Sequence, residues 1–183
     1  MDIDLPVDRT GPGRVALVIS FVNTADAESG EDRLGEPAAL AAWLREHGLL
    51  DDGADATADD VATAVDLREG LRDAVDDACD GVVRSDGARL ARALAQLPVV
   101  LGPDLAPHPA PDLPPVRRAL ALVVAAVLEA QAAGTWSRVK VCARDACRWA
   151  FWDASRNRSG TWCSMRVCGN REKMRRRTQR SGG

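Results

Sequence analysis

The strongest constraint on this chain is the spacing Cys142-x4-Cys147-x15-Cys163-x4-Cys168. Two close cysteine pairs, separated by a span long enough for a hairpin, suit a tetrahedral zinc ion. Each pair sits on a turn, and the second pair closes the coordination. The gaps are wider than the usual knuckle, so each turn is expected to be loose. Four protein ligands leave no position for a reacting water, and the cofactor expected is one structural Zn²⁺. Two disulfides are the alternative, but they belong to oxidising compartments, and Met1-Asp2-Ile3-Asp4 does not read as a secretory signal. A redox switch on the same thiols is a further alternative. Cys79 falls on a helical pattern far from the others and is expected to be a small buried apolar residue.

The 183 residues allow one ordinary domain and a small appendage. The composition is globular, 46% hydrophobic and 28% charged, with no Tyr and two Phe, so an aliphatic, alanine-rich and mainly helical core is expected. The longest apolar run, Ala119 to Leu128, is too short to span a bilayer. No membrane partner and a cytoplasmic location are expected. The overall charge of −3 and pI of about 5.4 conceal an asymmetry. Residues 1–134 carry 11 basic and 24 acidic side chains, net −13, whereas residues 135–183 carry 13 and 3, net +10. An acidic helical domain over 1–134 and a basic zinc module over 135–183 follow, and an anionic partner is expected for the basic end.

Hydrophobic periodicity outlines the first domain. Residues 15–24 are apolar on every side, and their length favours a helix. Leu40, Trp43 and Leu44 follow Glu36-Pro37 at helical spacing and stop at Gly48. Thr57 and Asp60 resemble an N-cap for a helix whose stripe Val61, Val65, Leu67, Leu71 and Val75 reaches about Cys79. A short helix is predicted from Asp86 to Leu97. Prolines over residues 98–115 force extended or turn structure, with a short hairpin near Val99 to Leu105. The apolar segment from Pro115 to about Ala132, stopped at Gly134, is expected to be the central helix.

In the basic module, Val139-Lys140-Val141 and Arg148-Trp149-Ala150-Phe151-Trp152 read as the strands of a zinc-pinned hairpin. The tryptophans pack around the metal, or an exposed Trp152 stacks on bases. Asn170 is a plausible N-cap for a basic helix carrying Arg171, Lys173, Arg175, Arg176, Arg177 and Arg180. With Arg148 and the Arg156-Asn157-Arg158 loop, these are the candidate nucleic-acid contacts, suited to phosphates and base edges. Docking of the tail on its own acidic domain is the rival reading. Both hold in an autoinhibited protein.

Cys142-Ala-Arg-Asp-Ala-Cys147, Phe151-Trp152-Asp153-Ala154-Ser155-Arg156-Asn157, Trp162-Cys163-Ser164-Met165 and Cys168-Gly169-Asn170-Arg171-Glu172-Lys173 together resemble the CGNR zinc finger. Phe21-Val22-Asn23-Thr24, Asp32-Arg33-Leu34, Leu40, Trp43-Leu44 and Leu67-Arg68-Glu69 resemble the ABATE domain that this family places before the finger. The chain departs from that pattern at Ser20, where the family carries an acidic residue. The resemblance implies a bacterial, stress-linked transcription regulator whose finger binds nucleic acid, DNA before RNA. It also implies a sensing role for the helical domain, with Asn23 and Thr24 as candidate contacts to a small-molecule effector; the other reading makes them helix-capping or loop-bonding residues. A homodimer is a further expectation.

Three functional classes follow. A zinc-dependent nucleic-acid-binding regulator comes first, and a module docking its basic helix on an acidic protein comes second. An enzyme is disfavoured, because His47 and His108 have no accompanying nucleophile-base pattern.

Overall fold

The computed structural model describes residues 7–80 and 87–181, with side chains over 9–79 and 87–179. The fold is mainly α. A single turn, α1 (Val7–Thr10), precedes α2 (Arg14–Val22), α3 (Pro37–Glu46), α4 (Ala58–Asp80) and α5 (Ala88–Gln96). The Pro-rich stretch forms the expected hairpin, β1 (Val99–Leu101) and β2 (Pro107–Pro109), paired antiparallel with Val100 opposite His108. Next come α6 (Pro115–Ala132), β3 (Val139–Val141), β4 (Ala150–Trp152), a π-helical turn over Met165–Gly169 and α7 (Asn170–Ser181). The predicted helix start at Asp86 lies outside the described residues.

Helix α6 is the central element. Val123, Val124, Ala125, Ala126 and Val127 are all buried at successive positions, which takes in a full turn and leaves no solvent face there. Around it pack Val18, Phe21 and Val22 of α2, Leu40, Trp43 and Leu44 of α3, and Leu67 and Leu71 of α4. Pro at the first position of α3 and of α6 starts each helix where a missing N–H has no intrahelical use. No helix among the described residues is long and apolar enough to cross a membrane.

Polar groups lock these helices together. Thr57 and Asp60 form a reciprocal capping box, the Asp60 N–H to the Thr57 hydroxyl at 3.2 Å and the Thr57 N–H to the Asp60 carboxylate at 2.9 Å. The same carboxylate accepts from Arg117 Nε of α6 at 2.6 Å. In α4, Arg68 makes a bidentate pair with Asp32 (2.6 and 2.9 Å), and Arg72 donates to the carbonyl of Val22 at 2.5 Å and that of Ala25 at 3.2 Å. Glu69 bridges the two guanidiniums. The loop between α2 and α3 is thereby held against α4 by charges that are buried and paired.

Cys79 is exposed, not buried as its periodicity suggests. The buried stripe of α4 ends at Val75, and the last turn of the helix lies beyond the packed face.

Helices α4 and α5 cross at Gly70, where a Cβ would lie 2.7 Å from the Leu90 backbone nitrogen and 2.8 Å from its Cα. Alanine is the better helix former, yet there is no room for its methyl. Gly70→Ala is expected to destabilise the chain by about 1–3 kcal/mol, read as a lowered Tm with zinc content unchanged.

Candidate metal centre and basic face

Strands β3 and β4 pair antiparallel with Lys140 opposite Phe151. Cys142 leaves β3, and Cys147 lies on the turn that returns to β4. The Cys147 and Arg148 N–H groups both donate to the Arg144 carbonyl, at 2.8 and 3.2 Å, and Arg148 takes a left-handed conformation (φ 49°) that redirects the chain into β4. The four-residue gap of the second pair has a direct explanation. In the π-helical turn Gly169 N–H donates to Ser164 O at 3.0 Å, an i to i−5 bond, and the same five-residue offset brings Cys163 beside Cys168.

All four Sγ atoms lie within 4.8 Å of one another, with Cys147 to Cys163 at 3.7 Å and Cys163 to Cys168 at 3.6 Å. A tetrahedron of sulfurs about 2.3 Å from zinc has edges of about 3.8 Å, whereas a disulfide needs about 2.05 Å. The disulfide alternative is set aside on this geometry. All four cysteines are buried, and Trp149, Trp162 and Val167 pack around them. The sulfurs do not tolerate four negative charges by themselves. Hydrogen bonds from Cys147 and Cys163 hold Cys142 down to about 2, and that thiolate pushes Cys147 up to about 12 and Cys163 upward as well. A divalent cation that prefers soft ligands offsets the repulsion. The donor set therefore fits one structural zinc with no open position.

Asp153, 1% exposed, organises the loop that follows β4. Its carboxylate accepts from Lys140 Nζ (2.7 Å), Ser155 N (3.0 Å) and Gly160 N (2.7 Å). Lys140 also donates to the carbonyls of Arg158 and Gly160, and Arg138 donates to those of Asp153 and Ser155 at 2.9 Å. Any Cβ at position 160 would sit 2.7 Å from Asp153 Oδ1, so glycine is required there. This brace holds Arg156, Asn157 and Arg158 exposed at the loop surface, with Arg158 also donating to Ser137 Oγ at 2.8 Å. Sequence reasoning missed Asp153, Lys140 and Arg138. The available signal was an acid in a segment that has only three.

The hairpin is joined to the helical body by more than the chain. Val139 and Val141 pack with Val15, Ile19, Val75 and Ala130, and Ala150 belongs to the main core. Asn23 Nδ2 donates to Ala150 O at 2.8 Å, and its Oδ1 accepts from Ala150 N at 2.7 Å, so this side chain pairs with β4 as a neighbouring strand would. Thr24 donates to Phe21 O at 2.8 Å and accepts from Arg68 at 3.4 Å. Both side chains, read from the sequence as candidate effector contacts, thus make hydrogen bonds within the fold. Ser20 lies 3.0 Å from His47 Nε2, whose ring stacks on Trp43.

Several candidate contacts are committed to the body. Arg148 pairs with Asp73 at 2.9 Å and Asp76 at 3.4 Å. Arg171 (2.7 Å) and Arg144 (3.0 Å) grip the single carboxylate of Glu28. Trp152, half-buried, packs on the cluster of Val15 and Ile19 with the Arg138 guanidinium 5.9 Å from its ring. Asn170 is not the N-cap; Ser164 is, accepting from Val167 N at 3.3 Å, because the π-helical turn starts the helix earlier. Arg175 and Arg176 are exposed and fold back on Glu172 at 2.7 and 2.9 Å. Lys173 and Arg177 are exposed. The Arg180 side chain lies outside the described residues. Arg166, absent from the sequence-based candidates, is exposed beside Asn170.

Cys163→Ser is expected to drop bound zinc from one equivalent to well below one, with the Trp149 and Trp162 emission shifting as the cage opens; elemental analysis and fluorescence read both. Asp153 carries a pH dependence. Burial alone raises its pKa from 3.8, but the Lys140, Ser155 and Gly160 bonds outweigh burial and hold it well below that value. The resulting stability is present above pH 4 and is lost as pH falls through the depressed value. Asp153→Asn is expected to cost about 1–3 kcal/mol at neutral pH, with the Tm gap to the parent closing below about pH 4.

Two family models match the chain. The CGNR zinc finger matches residues 138–181 and contains all four cysteines. The ABATE model, described as "Putative stress-induced transcription regulator", matches residues 15–153. No curated protein matches. The two matches overlap on the β3–β4 hairpin, the segment whose inner face the helical body buries. With about three quarters of its length under that second model and the cysteine cage within the first, the chain belongs to the ABATE family and carries a CGNR zinc finger at its carboxy-terminal end.

Proposed function

We propose that the chain is a zinc-dependent, nucleic-acid-binding transcription regulator. In this reading the finger, residues 135–183, presents α7 and the Arg156 to Arg158 loop to phosphates, and the helical body, residues 1–134, is the regulatory part. The observation that carries it is α7 itself. Every residue over 173–179 is exposed, and the helix sets Arg171, Lys173, Arg175, Arg176 and Arg177 against one acid, Glu172. A helix polar all round gains nothing from packing, and like charges three and four residues apart destabilise it. A polyanion removes that repulsion and releases counterions.

Among the described residues, Glu28, Asp73 and Asp76 of the body pair with Arg144, Arg148 and Arg171 at the base of the finger. Autoinhibition is therefore partial in this reading: Arg144, Arg148 and Arg171 are occupied, while Lys173, Arg175, Arg176 and Arg177 are exposed. Glu28 sits on the loop that Arg68 and Arg72 hold, so a shift of that loop would release Arg144 and Arg171 together.

The test is fluorescence anisotropy of the full-length, zinc-loaded protein with a labelled duplex DNA of about 20 base pairs, and with single-stranded RNA, across about 50–300 mM salt. Binding is expected to weaken with a log–log slope of about −4, corresponding to four or five phosphate contacts, and to vanish on chelation. No binding to either probe at the lowest salt would overturn the reading in favour of an acidic protein partner.

A further inference from the structure

The exposed cations of α7 do not encircle it uniformly once the π-helical turn is included. Glu172, covered by Arg175 and Arg176, gives a reference direction. At 100° per residue, Asn170, Lys173, Met174 and Arg177 fall on the opposite side, and the turn places Arg166 there too. A shallow hollow lined by Arg166, Val167, Asn170, Arg171 and Met174 confirms the juxtaposition. Met174 is 59% exposed in a helix otherwise without apolar side chains. Arg171 lies on one flank of this face and Arg176 on the other.

Resting on the nucleic-acid reading above, we propose that this face, Arg166, Asn170, Lys173, Met174 and Arg177, enters the major groove of duplex DNA and that Arg166 and Asn170 discriminate bases. The groove admits a single helix. Arginine donates in a bidentate manner to the O6 and N7 acceptors of guanine, asparagine pairs with the N6 and N7 edge of adenine, and an apolar group contacts the thymine methyl. Residues confined to phosphate contact need no Asn or Met. On one flank Arg176 exchanges its exposed pair with Glu172 for a phosphate, on the other Arg171 does so once released from Glu28, and the braced Arg156 to Arg158 loop adds a further phosphate contact. Asn170 donates to Arg166 O at 3.1 Å; that bond is exposed, so its replacement by a base edge is nearly neutral. The cage beneath sets the direction of the helix, because Cys168 lies within the π-helical turn.

The experiment is selection of a preferred site from a pool of random duplexes with the full-length, zinc-loaded protein. Affinities for that site and for random duplex are then measured for the parent, Arg166→Ala, Asn170→Ala and the loop control Arg156→Ala, each checked for one zinc per chain. Arg166→Ala and Asn170→Ala are expected to reduce the ratio of selected to random affinity by about 5- to 150-fold. Arg156→Ala is expected to weaken both affinities equally and to make the salt slope shallower by about one. Enrichment of a site with a ratio unchanged in both variants would overturn the assignment of the reading face. Binding of duplex DNA with no site enriched, or of single-stranded RNA alone, would also overturn it and leave the nucleic-acid reading standing. Absence of all binding would remove both.

Discussion

Convergence of four sulfurs on one point is the constraint from which the carboxy-terminal quarter of the molecule takes its shape. The cage ties the end of β3, the turn before β4 and the π-helical turn to a common centre. Each tie removes an option. Arg148 must adopt a left-handed conformation for Cys147 to face inward and β4 to begin, and Ser164 must cap a turn that closes over five residues for Cys168 to meet Cys163. The orientation of α7 is a consequence, since that helix continues the turn without a break. A segment this short lacks the core to hold such geometry alone, and a structural metal replaces it.

The second dependence runs through the hairpin. One face carries Val139 and Val141 into the helical body, and the outer edge of β4 is capped by the amide of Asn23. An unpaired strand edge invites association; here a side chain from the end of α2 satisfies both backbone groups of Ala150. The finger is thus built onto the body rather than tethered to it. The overlap of the two family matches over 138–153 follows from this shared core.

Electrostatics divides the basic end into two parts with different partners. Near the body, guanidiniums meet carboxylates at close range, as in the grip of Arg144 and Arg171 on Glu28. Exposed pairs of this kind contribute little to stability, about 0–1 kcal/mol, so they orient the finger more than they stabilise it. Farther out, Lys173, Arg175, Arg176 and Arg177 are exposed, and Arg175 and Arg176 pair within the helix with Glu172. Within the loop, Asp153 spends a buried charge on Lys140 and two backbone N–H groups, which makes that loop a rigid presenter of Arg156 and Arg158.

Residue spacing and local chemistry alone determined the helices α2 to α4 and α6, both hairpins and the four sulfur ligands, because hydrophobic period, Pro and Gly punctuation and cysteine spacing are local properties. Only the tertiary structure decided which polar residues serve the fold and which face solvent. Asn23 reads as a candidate contact until Ala150 is seen beside it, and Arg148 and Arg171 read as open cations until Asp73 and Glu28 come within 3 Å. Cys79 left the core because α4 runs past its packing face, and Arg166 joined the exposed face because a π-helical turn shifted the register of the helix that follows. These outcomes depend on partners far along the chain or on a change in helical pitch, and neither leaves a periodic signal in the sequence.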